Sequence, residues 1–158
     1  MQYQKIVEAG FKTEAAYVAK LLKTEFKQKF PGTKFSVKSD SYTGGDSIRI
    51  SFAASSTSPK VKEIEMLASK YQAGHFDGMT DCYEYTNRTE GPTVKYIFVD
   101  AVVSDEEREA IAEGIRSDFG ITLEQWNDSQ FMYKKFQDGS AKSSMVWREI
   151  RKKYYDLA

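Results

Sequence analysis

The chain has 158 residues, with 23 basic and 23 acidic side chains, one His and one Cys. That length supports a genuine core, and a hydrophobic content of 41% excludes wholesale disorder. One Cys and one His exclude an internal disulfide framework and a Cys/His zinc site. No run reaches the roughly 18 apolar residues of a membrane span. Met1–Lys5 lacks the apolar stretch of a secretory leader. A cytoplasmic protein with no membrane partner is therefore expected, and a lone Cys82, read as small and buried, suits a reducing compartment.

The first predicted element is a helix from about Thr13 to Phe30. Thr13 can cap it and Pro31-Gly32 stops it. Ala15, Val18, Ala19, Leu22 and Phe26 recur at spacings of three and four and share a face. Lys20, Lys23 and Lys27 share the opposite one. Two alternating strands follow, Lys34–Lys38 and Ser47–Phe52, joined by the turn residues 42–46 into a hairpin. A second helix is expected from Pro59, capped by Ser58, with Val61, Ile64, Ala68 and Tyr71 inward and Gly74 closing it.

Between His75 and Pro92, Asp77-Gly78 and Glu90-Gly91-Pro92 are turn signals, with a short strand over Cys82, Tyr83 and Tyr85. Thr93–Ala101 is a strand with apolar residues on both faces, which predicts a central strand covered on both sides. Ser104-Asp105-Glu106-Glu107 reads as a capping box opening a third helix, with Ile111, Ile115 and Phe119 inward. Short helical turns over residues 122–138 precede a last helix, about Ser143 to Tyr155. In that helix Val146, Trp147, Ile150 and Tyr154 point inward, and Arg148, Arg151, Lys152 and Tyr155 point outward. The order α-β-β-α-(β)-β-α with a helical C-terminal part predicts an α+β fold, helices packed on a mainly antiparallel sheet. A single domain over 1–158 is expected, with 13–121 as the α+β core and 122–158 as a helical extension packed on it.

The chemistry-bearing residues are sparse. Any Ser/His or Cys/His nucleophile scheme would have to use His75. Asp77 and Asp81, with Glu84 nearby, could present oxygen ligands to a hard cation, but Asp77 in Asp-Gly is well explained as a turn former and Asp81 as a strand or helix cap. Gly78 in that pair is expected to adopt a backbone conformation that costs other residues energy. Gly44-Gly45 reads as a hairpin turn rather than a phosphate cradle. No catalytic residue, metal or cofactor is assigned.

Charge is unevenly spread. The first and last helices have basic outer faces, and the third an acidic one carried by Glu106, Glu109 and Glu113. Lys20, Lys23, Lys27, Arg148, Arg151, Lys152 and Tyr155 are therefore the candidate binding residues. Balanced net charge and the absence of a recognition motif favour a protein partner, with nucleic acid as the alternative. Opposed basic and acidic strips would also suit pairing between copies of the chain.

Three runs carry a family resemblance: residues 29–37, residues 47–52, and Gly74-His75-Phe76-Asp77-Gly78-Met79-Thr80-Asp81. Over roughly Thr13 to Ile121 the chain resembles a large polyvalent-protein-associated domain family, the twenty-ninth of its numbered series. Phe76, Asp77, Gly78, Met79 and Asp81 form the most specific piece. Residues 52–59 stand where the family pattern has a Trp-containing Gly-Pro turn. The resemblance implies an accessory protein of a phage, plasmid or conjugative element. Its expected role is a non-enzymatic binding module acting on a host defence protein or nucleic acid. An enzyme around His75, Asp77 and Asp81 is the alternative.

Overall fold

The computed structural model describes residues 6–86 and 91–156. Met1–Lys5 and Glu90, on which the leader reading and part of the second turn signal rested, lie outside the described residues. The chain divides into two compact units, one through Val102 and the other from Val103 onward. The fold class is α+β, as expected from the order of elements.

The first unit is a three-stranded sheet with helices on one face. Helix α1 (Glu14–Lys29) starts where the Thr13 side chain accepts a hydrogen bond from the Ala16 N–H. Strands β1 (Phe35–Tyr42) and β2 (Gly45–Ala53) form an antiparallel hairpin, with Tyr42 opposite Gly45. Gly44 turns this corner in the left-handed region, at φ +94°, where glycine carries no Cβ penalty. Helix α2 (Val61–Ala68) and a 3₁₀ turn (Ser69–Tyr71) lead to a small antiparallel hairpin of β3 (Gly74–Asp77) and β4 (Cys82–Tyr85). Strand β5 (Tyr96–Val102) then pairs parallel to β2. The sheet order is β1-β2-β5, so the sheet is mixed and β2 is its central strand. The β3–β4 hairpin attaches to the lead-in of β5 through a parallel bridge, Gln72 to Val94, and the Ala73 N–H to Val94 carbonyl bond.

Strict alternation in β2 sets the two faces of the sheet. Ile48, Ile50 and Phe52 are buried, with Val37 from β1 and Val99 and Ala101 from β5 on the same side. Helix α1 closes that side with Ala15, Val18, Ala19, Leu22 and Phe26, and α2 with Val61, Ile64 and Ala68. Full burial of an aliphatic or aromatic side chain stabilises by about 1.5–3 kcal/mol, so this single layer of helices supports the unit. Phe35 extends the core as a ring bridge between Phe26 and Phe52.

Several local expectations are corrected. The helix expected from Pro59 begins at Val61 without a side-chain cap, because the Ser58 hydroxyl bonds within the turn from Ser55. Gly74 does not end that helix; it opens β3. The strand expected to be central, β5, is an edge strand, and its Tyr96–Phe98–Asp100–Val102 side is not covered by the helices of its unit. The free Cys82 is exposed rather than buried.

The second unit is helical: α3 (Asp105–Phe119), α4 (Leu123–Asn127), α5 (Ser129–Phe136), α6 (Ala141–Ile150), and a final π turn over Arg151–Tyr155. Its core comprises Ala112, Ile115, Ile121, Trp126 and Met132, flanked by Ile111, Phe131, Phe136, Met145 and Val146. Gly120, at φ +62°, ends α3, and Asp128 caps α5 through the N–H groups of Gln130 and Phe131. Two inward assignments fail here. Phe119 is exposed and meets Phe136 edge-on, and Trp147 is 45% exposed. Among the described residues no helix is long and apolar enough to cross a membrane.

Candidate functional site

The uncovered face of the first unit's sheet carries a contiguous row of aromatic rings. Register puts Lys38, Arg49 and Phe98 side by side across β1, β2 and β5, and Ser47 beside Tyr96. Along β5, Tyr96 and Phe98 lie nearly parallel, with centroids 6.2 Å apart. Tyr83 meets Tyr96 edge-on at 5.3 Å, and Tyr85 meets Tyr83 at 4.8 Å. The row thus runs Phe98, Tyr96, Tyr83, Tyr85 from the sheet onto the small hairpin. Phe98 is 47% exposed and Tyr85 65% exposed, a large cost to leave against water for side chains of this size.

Cations are interleaved with the rings. The Arg49 guanidinium lies 6.0 Å from the centre of the Phe98 ring. The Lys95 ammonium lies 5.2 Å from the centre of Tyr83 and 5.5 Å from that of Tyr96. Such contacts are favourable by about 0.5–1 kcal/mol at exposed sites. Two backbone anchors hold Lys95 in place: its N–H donates to Asp46 at 2.7 Å, and its ammonium to the Gly44 carbonyl at 3.2 Å. Two residues earlier in this lead-in, the Thr93 N–H donates to Glu14 at 2.7 Å. The Tyr83 hydroxyl donates to the Lys95 carbonyl. Burial, reinforced by the neighbouring Tyr96 and Tyr85, raises the Tyr83 phenol above its ordinary range, so it stays a donor. A cleft of about 330 Å³ opens at this end, between Gly44, Asp46, Tyr85 and Lys95.

The segment Phe76–Asp81 is a hairpin turn in this structure. The Asp77 carboxylate accepts from the Met79 N–H at 2.9 Å and the Thr80 hydroxyl at 3.1 Å. Those bonds, the backbone one foremost, lower its pKa. Its lone pairs serve its own turn, in the manner of an Asx turn. Gly78 has an ordinary φ and open space where a Cβ would stand, so the expected glycine requirement is overturned. The left-handed residue of this turn is Asp81, at φ 53°. Met79 projects into solvent, 96% exposed. Phe76 is exposed and lies opposite Tyr83 in the hairpin, which places it on the hairpin face that bears the ring row. His75 faces Glu84 across the hairpin at 3.3 Å. Among the described residues, no three His, Cys, Asp or Glu side chains gather as metal ligands.

The basic candidates fall into both units. Lys20, Lys23 and Lys27 line the exposed side of α1, where Lys20 rests 5.2 Å from the centre of the Phe11 ring. In the second unit, Arg148 and Lys152 share one carboxylate, Glu149, at 3.7 and 2.9 Å. They border a cleft of about 600 Å³ with Ile111 and Phe119. Tyr155 packs edge-on against Trp147, and Arg151 is exposed. Part of this second basic face is therefore locally neutralised, and its tyrosine ring already has a neighbour.

The ring row was missed because its members are spread over residues 83–98 and two separate sheets. The usable signal was the cross-strand combination of Lys38 and Arg49 with the outward aromatics of β5. Reading it required β5 to be an edge strand paired with β2.

No curated protein and no solved structure matches the chain. One protein-family model does, described as large polyvalent protein associated domain 29, over residues 13–110. The match takes in every strand, the ring row and the hairpin turn, and ends inside α3. It covers more than half of the chain, and its subject is an accessory domain of the polyvalent proteins of phages and mobile elements. The chain belongs to the large polyvalent protein associated domain 29 family.

Proposed function

We propose that the protein is a non-enzymatic binding module of a mobile genetic element, and that it docks through the open face of its sheet. The observation that carries this reading is the row Phe98–Tyr96–Tyr83–Tyr85, exposed at its two ends and half-buried between them, interleaved with Arg49 and Lys95. Aromatic side chains and Arg dominate the energetics of recognition surfaces because they bury much area at low entropic cost. The residues of the enzyme alternative support it less well. The Asp77 carboxylate is engaged by its own turn, and His75 and Glu84 sit on an exposed hairpin. A role against a host defence system is the biological setting suggested by the family context.

The test compares three baits in host cytosol: the native protein, a Tyr85→Ala/Phe98→Ala variant, and a Lys20→Glu/Lys23→Glu/Lys27→Glu variant. The expected result is a set of bound species kept by the α1 variant and lost by the ring variant. Full retention by the ring variant, with loss by the α1 variant, would move the docking surface to the helix.

A further inference from the structure

We infer that the occupant of this open face is a single nucleic-acid strand, its bases stacked on Phe98 and Tyr85 and its phosphates met by Lys38, Arg49 and Lys95. The inference rests on the reading of the face as the docking surface and names its ligand. Three features favour a strand with unpaired bases over other occupants.

The first is the form of the apolar surface. Its exposed members, Phe98 and Tyr85, are the two ends of a row of rings, which offer π-faces to bases of any identity. The buried core of a protein interface is instead depleted in Lys. Here the Lys95 ammonium lies over the Tyr83 and Tyr96 rings.

The second is the state of those cations. Lys38, Arg49 and Lys95 form no ion pair with a carboxylate among the described residues. The Asp46 carboxylate accepts from the Lys95 backbone N–H rather than from its ammonium, which donates to the Gly44 carbonyl. Lys38 and Arg49 occupy the same cross-strand row as Phe98, so a ring and two phosphate-binding groups are presented together.

The third is the charge balance, which separates single strands from duplex. Asp40 and Asp100 share this face, opposite Ser47 and Ser51. A face with that balance attracts a bare phosphate lattice weakly, and duplex DNA presents its stacked bases only at their edges. Stacking must therefore supply the binding, and stacking needs unpaired bases.

The test uses the full chain, at about 0.1 M salt, with fluorescein-labelled 20-residue oligo-dT and oligo-rU and a duplex of the same length. Expected are micromolar binding of both single strands and at least tenfold weaker binding of duplex. The log–log salt slope should be about −2, since a single strand releases about 0.7 counterion per contact and three contacts are available. Phe98→Ala and Tyr85→Ala should each weaken binding at least about fivefold. Phe98→Leu, which keeps apolar bulk without the ring, should weaken it similarly, so loss of folding cannot mimic the result. Equal binding of duplex, or binding abolished by the α1 charge reversal and indifferent to Phe98→Leu, would overturn the inference. Absent oligonucleotide binding, with the ring variant still losing its cytosolic partners, would overturn it in favour of a protein occupant and leave the docking reading standing. A ring variant that loses neither would end both.

Discussion

Gly74, at the open end of the small hairpin, and Gly78, in its turn, carry opposite constraints. A Cβ on Gly74 would stand 2.0 Å from the Glu84 carbonyl oxygen and 2.8 Å from the Tyr83 ring. The first of these is backbone, so the ladder itself must shift. Gly74→Ala should destabilise the protein by about 2–4 kcal/mol, at the upper end of single substitutions, and should displace Tyr83 from the ring row. Gly78→Ala meets open space and should stay within about 0.5 kcal/mol of the native protein. Paired urea titrations check both, and equal midpoints for the two variants would contradict the geometry. The sequence made Asp-Gly the conspicuous dipeptide and Gly74 a helix end. Chain-local signals report turn propensity, whereas the demand on Gly74 comes from a strand that lies ten residues downstream.

Among the elements, α3 shows a local signal diverted by a distant partner. Ser104 accepts from the Glu107 N–H, so half of the expected capping box forms. The reciprocal half does not, because the Glu107 carboxylate binds the Lys153 ammonium and the Tyr154 hydroxyl of the final π turn. Thr122 and Gln125 form a complete box instead, at the start of α4. Lys153, then Tyr154, hold the Glu107 carboxyl below its usual range. A lowered carboxyl pKa stabilises the fold above the unfolded-state value and ceases to do so as pH falls through the folded one. The protein should therefore lose stability on acidification below about pH 4.5. Glu107→Gln should be less stable at neutral pH and show a shallower acid dependence, as read from thermal melts at stepped pH. The helix α1 was legible almost to the residue, from Thr13 through its buried stripe. Its lysines are exposed, and reversing Lys20, Lys23 and Lys27 should change stability by no more than about 0.5 kcal/mol each. A larger loss in the melt would mean that these side chains hold structure.

For the whole molecule, the balance of 23 basic and 23 acidic groups gives an isoelectric point near 6.6. Self-repulsion is smallest there, so light scattering at fixed concentration should peak between about pH 6 and 7 and fall on either side. A flat profile would show that net charge does not limit association. The α+β class was legible at this scale because hydrophobic period changes along the chain, from 3.6 to 2 and back. Strand order was not. Apolar residues on both sides of β5 suggested burial of both faces, while in the structure Val99 and Ala101 are buried and Phe98 and Val102 are exposed. Periodicity records which residues are apolar, and it cannot separate a covered face from one kept apolar and open. The division at Val102–Val103 carries no Gly or Pro, and the polar run that follows it, residues 104–109, reads as a helix start rather than a linker.

The parallel pairing of β2 with β5 also bears on how the protein folds. Ser47 meets Tyr96 and Arg49 meets Phe98 only after a loop containing α2 and the small hairpin has closed. Contacts of such long sequence separation carry the loop-closure cost before any gain, and they slow folding relative to helices and hairpins. The β1–β2 hairpin, α1 and the β3–β4 hairpin are local and can form early. The row joining Arg49 to Phe98 is built from the slowest pairing in its unit. On the proposed docking reading, ligand affinity should therefore appear only with the last step of folding, and a chain still incomplete should present no docking face.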